Sequence, residues 1–107
     1  MERKLSTIFA LDVVGFSKLM AIDEDITLAV LKQRREIIDA IIMEHSGRMF
    51  GSAGDSVIAE FDSPVKATEA SIKIQDKMQT INDALPANQK MQFRIGLDLG
   101  DVMISGD

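Results

Sequence analysis

Residues 91–99 constrain the chain more than any other stretch. Met91, Phe93, Ile95, Leu97 and Leu99 alternate with Gln92, Arg94, Gly96 and Asp98. In a strand, that alternation puts every apolar side chain on one face and every polar one on the other. Such a strand requires neighbours in a sheet, an apolar layer over one face, and water or a ligand over the other. Two segments have the periodicity to form that layer. Ile26, Val30, Ile37 and Ile41, with Leu31, Ile38 and Ile42 beside them, recur at helical spacing. Asp23-Glu24-Asp25 opens this segment, and acids suit the positive end of a helix. Lys32, Arg34 and Arg35 fall between its apolar positions and are expected in solvent. Gly47 is expected to close it as a left-handed C-cap, with His45 in the last turn as a dipole partner or filler. The second segment carries Ala67, Ala70, Ile74, Met78, Ile81 and Leu85. It follows Ser63, a good N-cap, and Pro64, suited to the first helical position.

The other elements are strands. Residues 4–12 read as the first, and residues 17–21 as a short turn of helix after it. Arg48 to Ala53 and Ser56 to Phe61 flank Gly54-Asp55, a tight-turn signal, and so form a hairpin. Pro86 ends the second long helix. Gly100-Asp101 reads as a second hairpin signal, with Val102 to Ile104 beginning an extra strand. Strand, helix, strand, strand, helix, strand is the split βαβ order of a ferredoxin-like α+β fold. Both helices are then expected on one sheet face, with the first strand beside the hairpin. The 107 residues suffice for a single domain, 1–107, with a modest core.

Composition excludes several functions. A net charge of −5 argues against general nucleic-acid binding, which needs a basic surface. Tyr and Trp are absent, so base stacking on exposed aromatics is not expected. There is no cysteine for a disulfide or thiolate site, and His45 is the single histidine. No apolar run approaches the roughly 20 residues that span a bilayer. Met1-Glu-Arg-Lys is charged, but no cleavage pattern follows it. A cytoplasmic chain with no membrane segment is the expectation.

The chemistry concentrates where the first strand ends. Ile8 to Leu11 is apolar, and the run stops on Asp12. Val13, Val14, Gly15, Phe16 and Ser17 follow, with Ser17 as candidate N-cap of the next helix. Amides in a glycine loop at a helix start favour anions. An acid beside such a site suits a cation bridging carboxylate and phosphate. Taken alone, the stretch reads equally well as a capping acid and a turn glycine. Asp55 lies in the hairpin turn, where aspartate is also common for purely local reasons. In the ferredoxin-like order, however, both acids reach one end of the sheet. Two carboxylates there could hold one or two Mg²⁺ ions, with the Val13 carbonyl assisting and a triphosphate completing the shell.

Leu11-Asp-Val-Val-Gly-Phe-Ser17, Gly54-Asp-Ser56 and Phe93-Arg-Ile-Gly-Leu-Asp-Leu-Gly-Asp-Val102 together resemble the catalytic domain of class III adenylyl/guanylyl cyclases. The resemblance runs from about residue 3 to Asp107. It implies that Asp12 and Asp55, with the Val13 carbonyl, bind two Mg²⁺ or Mn²⁺ ions. It also implies that the loop Val14, Gly15, Phe16 and Ser17 holds the phosphates. The implied reaction converts ATP to cyclic AMP and pyrophosphate, with GTP a possible substrate, in a homodimer. Two departures stand beside it. Many family members that use ATP carry a base-reading lysine three residues before the hairpin Gly-Asp, where this chain has Gly51; Ser52, next to it, points to the opposite face. The family's ribose-orienting asparagine and transition-state arginine fall beyond Asp107, so the resemblance implies the N-terminal part of the domain, with little activity alone. Arg94 belongs to the fourth-strand motif and is expected as a solvated or interface arginine. Gly51 also leaves open a degenerate cyclase-homology module for dimerisation or nucleotide sensing. An unrelated ferredoxin-like interaction domain requires the acid pair and glycine loop to be coincidental.

Overall fold

The computed structural model describes residues 2–104. Its central strand, β1 (Glu2–Val13), is twelve residues long and pairs on both edges. On one side it meets β3 (Ser56–Phe61), and on the other β4 (Phe93–Ile104). The edge strand β2 (Arg48–Ala53) pairs with β3 through the Gly54-Asp55 turn. All neighbours are antiparallel, in the order β2-β3-β1-β4. Three α-helices intervene: α1 (Phe16–Ile22), α2 (Glu24–Glu44) and α3 (Pro64–Asp83). This is the α+β, ferredoxin-like arrangement, with the first strand beside the hairpin as expected.

The register explains why one sheet face is buried. Phe9 lies opposite Ala59 and Leu97, Leu11 opposite Val57 and Ile95, and Val13 opposite Phe93. Partners across a sheet share a face. Phe9, Leu11, Val13, Val57, Ala59, Phe61 and Phe93 therefore form one apolar surface, and α2 and α3 cover it. Val30, Leu31, Ile38, Ile41 and Ile42 of α2 and Ala67, Ala70, Ile74 and Met78 of α3 join the same buried cluster. The small Ala67 and Ala70 let α3 come close to the sheet. Phe9 and Phe61 meet edge-tilted, with centroids 5.8 Å apart and planes at 57°. Their opposite face carries Ala10, Asp12, Arg94, Gly96 and Asp98, and no helix covers it.

The two long helices start on side-chain caps. Asp23 caps α2 by accepting from the Ile26 amide at 3.0 Å. Ser63 caps α3 by accepting from Lys66, with Pro64 in the first position.

Three expectations are corrected. Gly100-Asp101 is not a turn: β4 runs unbroken to Ile104, with Gly100 opposite Ser6 and Asp101 opposite Leu5. A tight hairpin turn needs positive φ, and among the described residues only Gly15, Gly54 and Ser46 have it. Pairing with the long β1 satisfies these backbone groups instead. The end of α2 also differs. Ser46, not Gly47, takes the left-handed position at φ 64°. The Gly47 amide bonds the Ile42 carbonyl at 2.9 Å and that of Ser46 the Met43 carbonyl at 3.1 Å, a Schellman closure. Glycine is needed at 47 for space: a Cβ there would lie 2.7 Å from Ile42 Cγ2 and from the Phe61 ring. Finally, Arg34 is buried at 3% exposure rather than solvated. It sits on the apolar stripe between Leu31 and Ile38, so its stem packs inward. Its Nη2 donates to the Gln89 carbonyl at 3.3 Å, its Nε lacks a partner, and burial pushes its pKa down.

Three variants should differ in stability. Gly47→Ala should lower stability by about 1–3 kcal/mol through overpacking. Gly51→Ala should be neutral or mildly stabilising, because its Cβ meets Ile58 at an ordinary 3.5 Å; urea midpoints of the two variants check this contrast. Arg34→Met should leave stability unchanged or raise it, because it removes a buried charge that lacks a carboxylate partner. A large loss on thermal unfolding would contradict that reading of Arg34.

Candidate active site at the end of the central strand

Alternation along β1 puts Asp12 on the uncovered sheet face while Leu11 and Val13 enter the core. Its direct partner across the ladder is Arg94. The two side chains meet as a fork: Arg94 Nε donates to Asp12 Oδ1 at 2.9 Å and Nη2 to Oδ2 at 3.0 Å. Both remain wet, with side-chain exposures of 69% for Arg94 and 39% for Asp12. Hydrogen bonding by Arg94 holds the Asp12 carboxyl below its usual range. The pair is therefore lost only as pH falls through that lowered pKa. Asp12 in turn raises the pKa of Arg94, and Asp55 adds a smaller effect of the same sign. Arg94 thus lies in the field of both acids.

Asp55 reaches the same place from the hairpin turn. Its Oδ2 accepts the Val13 amide at 3.1 Å. That amide is free because hydrogen bonding alternates along an antiparallel strand. The Val14 amide points to β4 and bonds the Gln92 carbonyl at 2.9 Å. The Val13 amide and carbonyl point the other way, toward the hairpin. Asp12, the Val13 backbone and Asp55 are therefore consecutive features of one sheet end. Gly54, at φ 58°, makes the turn that carries Asp55 there.

The loop beyond Val13 differs from the expectation in two details. Gly15, at φ 66° and ψ 34°, is the residue before α1, and Ser17 lies inside the helix rather than capping it. A left-handed residue there suits glycine, so the chain turns one step earlier. The Val14 amide is spent on β4, whereas those of Phe16 and Ser17 fall in the first helical turn, where amides lack intrahelical acceptors.

A shallow cavity of about 340 Å³ opens on the same sheet face, lined by Ala10, Asp12, Ser56, Ile58, Arg94 and Gly96. Small residues at 10, 56 and 96 leave this space. Gly51 adjoins it across Ile58 and offers no side chain. Ser52 points to the helix side, where Arg35 Nη1 donates to its hydroxyl at 3.1 Å and Arg35 also pairs with Asp39.

The donor set fits a hard divalent cation. Two carboxylates and a backbone carbonyl are oxygen ligands, and Mg²⁺ typically takes one or two carboxylates and completes its shell with phosphates and water. Among the described residues no group of three or more acids, histidines or cysteines gathers into a fuller cage. Any ion here would complete its shell with water or a ligand. Sequence reading found both acids but not the partner of Arg94. The alternation put Arg94 on the polar face; its pairing with Asp12 depends on the register between strands 82 residues apart.

No family model matches the chain. It is 38% identical over 104 residues to "Putative adenylate cyclase 3" of Rhizobium meliloti, a match covering 96% of this chain and 18% of that protein. A solved structure of an adenylate/guanylate cyclase/hydrolase from Silicibacter pomeroyi superposes with a TM-score of 0.85 at 36% identity, over 99% of this chain and 63% of that one. The guanylyl cyclase Cya2 shares the fold at 20% identity, with a TM-score of 0.80 over 94% of this chain and 56% of its own. The chain thus spans less than two thirds of the relatives it matches. Among the described residues no helix is long and apolar enough to cross a membrane. With the motifs around Asp12, Asp55 and Arg94 set on this sheet, the chain belongs to the class III adenylyl/guanylyl cyclase domains.

Proposed function

We propose that this chain supplies the metal- and triphosphate-binding part of a nucleotidyl cyclase that converts ATP to cyclic AMP and pyrophosphate. The observation that carries this reading is the anchoring of Asp55 on the Val13 amide, beside Asp12. A structural turn aspartate has no need to reach a strand end that already carries an acid. Asp12, Asp55 and the Val13 carbonyl would hold two Mg²⁺ or Mn²⁺ ions. Bound there, the ions would acidify the attacking ribose 3′-hydroxyl and offset charge around the α-phosphorus. The Phe16 and Ser17 amides would orient the β- and γ-phosphates, and Gly15 allows their close approach. The open sheet face gives the nucleotide its place, and a second copy of the chain would close over it.

The purine is proposed as adenine by kinship with the Rhizobium meliloti protein. Glycine at 51 cannot read a base edge, so any discrimination against GTP must come from other groups. That same glycine favours a second reading, a cyclase-homology module that binds nucleotide or dimerises without turnover. Formation of cyclic nucleotide separates the two.

Calorimetric titration with Mn²⁺ and a non-cyclisable ATP analogue tests the site. Binding by the wild type and its loss in an Asp12→Asn, Asp55→Asn double variant is the expected outcome. Equal binding by both proteins would remove the acids from the proposal. No side chain among these 107 residues is assigned to orient the ribose or to stabilise the transition state. Loss of one such stabiliser typically costs about 10²–10³ in rate. Turnover by these residues alone should therefore stay near background beside a chain extended to the length of the Silicibacter pomeroyi relative. Equal cyclic AMP production by both would place the missing groups within residues 1–107.

A further inference from the structure

Asp12 is a candidate cation ligand, yet Arg94 donates a hydrogen bond to each of its oxygens. A guanidinium fork matches a carboxylate in shape and charge. This is where a metal ion held by Asp12 would have to bind. We propose that Arg94 is a placeholder cation: it occupies the Asp12 carboxylate in the metal-free protein, so that a divalent ion binds there only as the guanidinium leaves. This inference rests on the proposed metal site and deepens it.

Three features support exchange rather than a permanent tie. First, the pair lies on the open sheet face, with Arg94 largely exposed, so the guanidinium can swing into solvent without unpacking the core. Exposed ion pairs contribute little to stability, so breaking one is not prohibitive. Second, Ala10 and Gly96 flank the pair on their strands, and their small side chains leave the cavity into which the arginine can move. Third, Arg94 makes no hydrogen bond other than those to Asp12 among the described contacts, and so is not fixed by a second partner.

The consequence is a threshold against metal binding without a co-ligand. A divalent ion approaching Asp12 meets a positive charge already seated there. The two cations repel, and the carboxylate must exchange one for the other.

The test uses Mn²⁺ alone, followed by loss of the free-ion electron paramagnetic resonance signal on titration into the 107-residue chain. Arg94→Gln removes the charge and keeps a polar, exposed side chain. It should bind Mn²⁺ roughly 10-fold more tightly than the wild type, as expected for removing a nearby like charge plus an exposed ion pair. Arg94→Lys keeps the charge but not the fork, and should gain less. Adding Asp12→Asn to Arg94→Gln should abolish the gain, since the gain acts through Asp12. Unchanged or weaker Mn²⁺ binding by Arg94→Gln, with circular dichroism showing it folded, would overturn the placeholder. A gain that survives Asp12→Asn would overturn it too. Should Arg94→Gln not fold, Arg94→Lys decides: affinity equal to the wild type overturns the inference. The outcome is separable from the proposed function. If Mn²⁺ with the ATP analogue still requires Asp12 and Asp55 while Arg94→Gln changes nothing, the metal site stands and only the placeholder falls. If neither acid matters to metal binding, both fall.

Discussion

The ladder between β1 and β4 holds this molecule together and sets its chemistry. It runs in one register from Glu2 opposite Ile104 to Val13 opposite Phe93. Because side chains alternate along each strand, this single register decides both faces of the sheet at once. Phe9, Leu11, Val13 and Phe93 turn toward the helices, while Asp12 and Arg94 turn together to the open side. A slip of one residue would bury the ion pair and expose the core. The burial of the apolar face thus also fixes the geometry of the charged one.

The same ladder determines what the loop after β1 can offer. Its last hydrogen bond uses the Val14 amide, so the Val13 amide faces the hairpin and receives Asp55. The hairpin turn contributes nothing to the core, yet it is tied to the central strand through a carboxylate. Gly15 and Gly54 provide the two left-handed positions that start α1 and close the hairpin. The candidate binding groups are therefore carried at strand ends by a buried framework. The solved structures at 36% and 20% identity share this fold. Such persistence is expected where the helices need only an apolar stripe and the sheet only alternation.

Charge is balanced locally. The chain carries a net −5, but at the site two acids face one guanidinium and one amide. The ion pair is exposed and adds little to stability. Both contacts fix an acid at the same end of the sheet, Asp12 through Arg94 and Asp55 through the Val13 amide. Arg34 is the converse case. Its charge is buried without a carboxylate, its stem is packed between Leu31 and Ile38, and its guanidinium rests on a single carbonyl.

The sequence by itself determined the periodicities, the starts of the two long helices and the candidate acids. Alternation at 91–99 and the stripes at 26–42 and 67–85 are local patterns, each imposed by one sheet face or one helix face. Ser63-Pro64 and Asp23 announce helix starts because their capping partners lie three residues away. What required the tertiary structure was every property set by strand pairing or by a distant surface. Gly100-Asp101 has the composition of a turn, but its backbone groups find partners on β1, nearly a hundred residues away in sequence. Gly47 reads as a left-handed cap, yet the Phe61 ring and Ile42 are what exclude a side chain there. Arg34 reads as solvated until its place on the stripe is closed by the loop around Gln89. Arg94 could be assigned to a polar face, but only the register with β1 places it on Asp12. Local patterns determine which faces are buried; contacts between remote segments decide which polar groups meet, because nothing in a single strand encodes its neighbour's register.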